Sequence, residues 1–174
     1  MSARLNIPGL TESVKDFSLP RYSEIPNVGL YLEQVSKYIT EIFEPIEQPG
    51  LTGSMISNYV KKKLIPNPVK KLYYREQIAY LVFITVAKQA LSIGQIKDLI
   101  DTRKESFEVE ALYNYFLSEF ESVFGYVFGI SEEPEDIVEE DFGKLVLRQI
   151  LLNFAYQAFL DKTLALAGVK RSDE

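Results

Sequence analysis

Residues 51–81, LTGSMISNYVKKKLIPNPVKKLYYREQIAYL, decide how the whole chain is parsed. Thr52 is a residue type that caps helices, and helical period follows it over 52–63. Met55, Ile56, Tyr59 and Val60 form the apolar face of that helix, while Ser54, Ser57, Asn58 and Lys61 share the other at i, i+3, i+4 and i+7. Pro66 and Pro68 cannot sit inside a helix, so residues 64–74 must leave it and turn. Val69-Lys70-Lys71-Leu72-Tyr73 is short enough for a two-stranded wing or an extended loop. Arg75 then opens a helix in which Ile78, Leu81, Val82, Phe83, Ile84 and Val86 leave almost no polar face, as the central helix of a small domain would.

Charge singles out the same stretch. The chain carries a net −6, yet Lys61, Lys62, Lys63, Lys70, Lys71 and Arg75 lie within 59–75 without a single acid. Residues 105–141 are the opposite, with twelve acids and no Lys or Arg. A phosphate backbone responds to the local potential of the face presented to it, so an acidic protein with one basic face can still bind nucleic acid. The polar face of the 52–63 helix suits that role: a helix fits the major groove, Asn pairs bidentately with adenine, and Ser and Lys reach base edges or phosphate. A plain solvated helix face would show the same pattern, and the neighbouring lysines are what favour a recognition helix.

The remaining composition narrows the classes. With 174 residues and 47% hydrophobic content the chain can bury a core of its own, as one domain with or without a helical appendage. Nine glycines, eight prolines and few alternating apolar runs favour an all-α, mainly helical fold. The chain has no Cys and no His. That removes disulfides, thiolate metal sites, the commonest general base and every Ser-His-Asp arrangement, so no catalytic, cofactor or metal residues are expected. Glu132, Glu133, Glu135, Asp136, Glu139, Glu140 and Asp141 lack the glycine that a calcium loop needs for its sharp turn, and read as a solvated loop. No signal-peptide core and no membrane-length apolar run is present, so the expected location is cytoplasmic, with no membrane partner.

Residues 1–25, with Pro8 and Pro20, show no clear period and read as a flexible or surface-laid arm in which Arg4, Lys15 and Arg21 could touch a partner. Tyr31, Leu32, Val35, Tyr38, Ile39, Ile42 and Phe43 make the stripe of an amphipathic helix over 28–43. Ser92 caps a helix with Ile93, Ile96, Leu99 and Ile100 inward and Arg103 and Lys104 at its end. Val109 through Phe124 forms another clean stripe, and a long helix over 140–167 is apolar on most sides, with a polar line through Lys144, Arg148, Asn153, Gln157 and Asp161. That last pair must fold back on the central helices, form a dimer interface, or both. The strict seven-residue seam of a long coiled coil is missing, so a compact dimer is expected. Tyr113, Tyr115, Phe116 and Phe120 could line an apolar ligand pocket, although their helical spacing is already explained by core packing.

Asn58-Tyr59, Leu64-Ile65-Pro66, Lys71-Leu72-Tyr73, Gln77-Ile78-Ala79-Tyr80-Leu81 and Ser92-Ile93-Gly94-Gln95-Ile96-Lys97 together resemble the MerR family of winged helix-turn-helix regulators. From Leu19-Pro20-Arg21-Tyr22 through Lys97 the chain is most similar to a bacterial family of unknown function classed as MerR-like. The MerR pattern has Arg where this chain has Ser57 and Gly where it has Lys63, and the connector over 45–51 is longer than a tight helix-turn-helix uses. The resemblance implies DNA binding through a wing at which Lys71 and Tyr73 meet phosphate.

The expected architecture is therefore an arm over 1–25, a MerR-like winged helix-turn-helix with a small β-wing over 26–104, and a C-terminal helical pair over 105–174 for packing or dimerisation. The expected function is a bacterial transcription regulator that binds double-stranded DNA as a homodimer. Ser54, Ser57, Asn58 and Lys61 would face bases, and Lys62, Lys70, Lys71, Tyr73 and Arg75 would hold phosphates. The alternative is a protein-interaction adaptor, or a ligand-responsive one, that keeps the winged shape without reading DNA.

Overall fold

Thr52, Ser92 and Asp141 each accept hydrogen bonds from backbone N–H groups at the start of a helix, and these caps punctuate the fold. A computed structural model of the chain describes residues 7–137 and 141–169. Its helices are α1 (Pro8–Val14), α2 (Leu32–Phe43), α3 (Gly53–Lys61), α4 (Arg75–Ala87), α5 (Ile93–Lys104), α6 (Val109–Val127) and α7 (Phe142–Leu166). Single 3-10 turns lie at Tyr22–Glu24 and Glu44–Ile46. Arg4, Glu139, Glu140 and the expected start of the last helix at 140 lie outside the described residues.

The fold is mainly helical, as the periodicities require. Among the described residues there is no strand: where a β-wing is expected, residues 69–72 close a single tight turn whose only ladder elements are the isolated bridges Val69–Leu72 and Leu30–Tyr73. α4 lies at the centre, with its residues 77–82 and 84–87 buried, and packs against α2, α6 and α7. α6 and α7 make the most extensive helix contact and fold back onto α4. Phe116, Phe120 and Phe124 of α6 and Phe128 at its C-cap follow at i+4 steps, with ring centroids 6.1, 5.3 and 4.5 Å apart. Phe154 of α7 meets Phe120 and Phe43, so this aromatic row joins the C-terminal pair to α2.

Residues 7–25 are not a loose arm. Leu10, Val14, Leu19 and Ile25 are buried, Phe17 packs on Phe120 and Phe124, and the Tyr113 hydroxyl donates to the Pro20 carbonyl at 2.7 Å. The polar line expected along the last helix is also broken up by partners. Arg148 makes a forked pair with Glu119 of α6 at 3.0–3.1 Å, both side chains only 16% exposed. Asp161 accepts from Gln48 and Gln157, and Gln48 accepts in turn from Gln89, which ties the 45–51 connector to α7 and to the end of α4.

Candidate nucleic-acid interface

α3 begins where the Thr52 hydroxyl accepts from the Met55 N–H at 3.2 Å. Its inner face seats Ile56 and Tyr59 in the core. Burial raises the Tyr59 phenol, as a core tyrosine requires. Ser54, Ser57 and Lys61 are exposed on the outer face and Asn58 is half-exposed, so these four residues do share one accessible surface.

The helix ends in a Schellman motif. The Lys63 N–H bonds the Val60 carbonyl at 3.0 Å and the Leu64 N–H bonds the Tyr59 carbonyl at 2.9 Å, with Lys63 at φ 60°. That left-handed position is normally taken by glycine, the residue that the MerR pattern has there. Leu64 and Ile65 are then buried, which pins the chain before it turns outward again.

Val69 and Leu72 exchange two backbone hydrogen bonds of 2.9 Å around Lys70 and Lys71, which have φ 51° and 67°. Positive φ at both central residues defines a two-residue turn of type I′, the geometry that Asn-Gly adopts without strain. Here two exposed lysines occupy it instead. The base of the turn is held from three sides. Leu30 and Tyr73 exchange hydrogen bonds of 2.9 and 2.8 Å, and Gly29 lies so close that an added Cβ would come within 2.8 Å of Leu72. Gln77 of α4 accepts from the Tyr74 N–H at 2.7 Å and donates to the Asn67 carbonyl at 3.0 Å.

Lys61, Lys62, Lys63, Lys70 and Lys71 are all exposed, and among the described residues none of them has an ion-pair or hydrogen-bond partner for its ammonium. Elsewhere Lys15, Lys37, Lys97, Lys104, Arg103, Arg148 and Lys162 are all paired with carboxylates. Seven residue steps separate Lys63 from Lys70, so chain length alone keeps them within about 25 Å, less than one turn of duplex DNA.

Two expected phosphate ligands are placed otherwise. Tyr73 is 4% exposed and sits in the core, its phenol raised by burial, because its bridge to Leu30 turns the side chain inward. The Arg75 guanidinium donates to the Ile25 carbonyl at 2.9 Å and the Ser23 carbonyl at 3.1 Å and lies 5.7 Å from the Tyr22 ring centre. It fastens residues 22–25 to the start of α4. Lys63, which is not in the expected set, is exposed beside Lys61 and Lys62, and the sequence singles it out by its occupation of a glycine position.

No curated protein and no solved structure matches the chain. A family model does, over residues 20–116, which covers α2 to α5, the start of α6 and the whole lysine-bearing segment. With more than half of its length matched, the chain belongs to the family described as Domain of unknown function (DUF1836).

Proposed function

We propose that the protein is a DNA-binding transcription regulator that acts as a homodimer. α3 is its recognition helix, and the 64–72 segment serves as a reduced wing. The observation that carries this reading is the set of five unpaired, exposed lysines, three of which hold left-handed backbone positions. Each such position costs a non-glycine residue about 1 kcal/mol or more, and strain of this kind clusters at functional sites. A solvated surface has no use for that cost, whereas an anionic partner does. Ser54, Ser57, Asn58 and Lys61 then face base edges, and Lys62, Lys63, Lys70 and Lys71 hold phosphates. Tyr73 and Arg75 keep structural roles.

Dimerisation has support on the outer face of α7. Phe142, Val146, Gln149, Asn153, Tyr156 and Leu160 follow one another at steps of four and three, and all six are exposed. This uncharged seam on a well-charged surface suits a second copy of itself, and the two polar positions would fix its register. A two-fold dimer presents two α3 helices to successive major-groove faces.

Selection from a randomised duplex pool, followed by binding at graded salt, tests the reading. Enrichment of a sequence with two half-sites supports it. Retention that vanishes when Lys70 and Lys71 are both replaced locates the contact. Salt-sensitive self-association without DNA retention would instead favour an adaptor whose lysines dock the exposed acids of 105–136 on another copy.

A further inference from the structure

Between α4, α5, α6 and the start of α7 lies a cavity of about 560 Å³, distinct from the lysine-bearing segment. Its volume falls within the range of about 300–1,000 Å³ usual for small-molecule sites. Ile100, Tyr113 and Phe116 are buried wall residues, so the cavity reaches the core; Leu99 and Leu112 line its sides, and half-exposed Phe107 stands at the rim. The walls are overwhelmingly apolar, and the charges converge at one end. There Arg103 closes α5, and Asp141 and Lys144 open α7.

Arg103 is the unusual member of this group. One of its terminal nitrogens donates to Asp141 Oδ1 at 2.8 Å, and among the described residues its other donors have no partner. A guanidinium offers five N–H donors in a planar fork, so most of its carboxylate-binding capacity is unspent. It can lie there only because residue 143 is glycine: a Cβ on Gly143 would overlap the guanidinium. The Lys144 ammonium lies 5.6 Å from the centre of the Tyr115 ring, at the same end.

We propose that this cavity binds an amphipathic organic acid of the medium-chain fatty-acid class, its apolar body between α4, α5 and α6 and its carboxylate on the Arg103 guanidinium. A purely apolar ligand would make no use of the remaining donors of Arg103, whose side chain is 31% exposed. Bound acid would bridge the end of α5 and the start of α7 through the arginine that Asp141 already engages.

The chain has no tryptophan, so Phe107→Trp provides a single fluorescent reporter at the rim. Titration of the full chain with decanoate, without nucleic acid, keeps the outcome independent of the proposed DNA binding. Saturable binding at one site is expected, at least about tenfold tighter than for decanol, the margin of a charge-assisted hydrogen bond. Arg103→Gln should bring decanoate down to the level of decanol. Leu99→Trp, which fills the cavity, should abolish heat of binding in calorimetry; if circular dichroism shows that variant unfolded, Ala111→Phe at the exposed rim takes its place. Absence of saturation by about 1 mM, equal affinity for decanoate and decanol, or binding that survives the filling variant overturns the proposal.

Discussion

Lys63, Lys70 and Lys71 hold backbone positions that suit glycine or asparagine, and this separates what stability would choose from what binding would choose. Replacing Lys70 and Lys71 by Asn and Gly restores the favoured type I′ pair, so chemical denaturation should show a gain of about 1 kcal/mol or more. The same double variant should lose DNA affinity at every sequence. Asn58→Ala differs in kind: it should leave the salt dependence unchanged, cost roughly 1–3 kcal/mol at the preferred site and relax one base position. Asp141 has its own signature. The Lys144 backbone N–H first, then Arg103 and the Gly143 N–H, hold its carboxyl below the ordinary value of 3.8. Stability linked to it is therefore present above that value and lost as pH falls through the folded one; Asp141→Asn should flatten the acid limb of an unfolding-versus-pH curve. Lys63 stands where the MerR pattern has glycine, but nothing in the sequence announces the left-handed Lys70 and Lys71, because Lys has no preference for such positions. Tyr73 was equally hidden, since its inward turn depends on pairing with Leu30, forty-three residues earlier.

Helices with strong stripes and good caps were legible as elements. The Ser92 hydroxyl accepts from the Gln95 N–H, and the Gln95 side chain accepts from the Ser92 N–H in return, as the local pattern requires. α3 runs over the stretch expected of it, and Thr52→Ala should cost about 1 kcal/mol in a thermal melt. α1 escaped because two turns give little periodic signal, although Leu10, Val14 and Phe17 do stand at i, i+4 and i+7 and Pro8 occupies a favoured first-turn position. The wing was overdrawn for a different reason: Pro66 and Pro68 force the chain out of its helix and 69–73 is short enough for a hairpin, but Leu30 pairs with Tyr73 at a single bridge and no ladder extends beyond it among the described residues. Gly29→Ala should push Leu72 outward and weaken that bridge, which faster amide exchange at Tyr73 would report. The contact between α6 and α7 has its own test. Arg148→Ala leaves Glu119 nearly buried without its partner and should cost about 3 kcal/mol.

Across the whole molecule, one aromatic and aliphatic core joins residues 14–25, the lysine-bearing segment and the C-terminal pair. α4 links the parts: Gln77 clamps the lysine turn, while Ala79, Tyr80 and Phe83 of the same helix line the cavity. Among the described residues no helix is long and apolar enough to cross a membrane. For the homodimer proposed through the exposed seam of α7, the double variant Tyr156→Lys, Leu160→Lys should convert a dimer to a monomer in light scattering without loss of helicity. The decisive measurement is the salt dependence of affinity for the best duplex from a randomised pool, taken for the parent chain and for the Lys70→Asn, Lys71→Gly variant. Five lysines on phosphates or base edges predict a log–log slope of up to about −4.5 per protomer, reduced by nearly two units in the variant. Affinity for no duplex at any salt, or a slope that the variant leaves unchanged, would contradict the account.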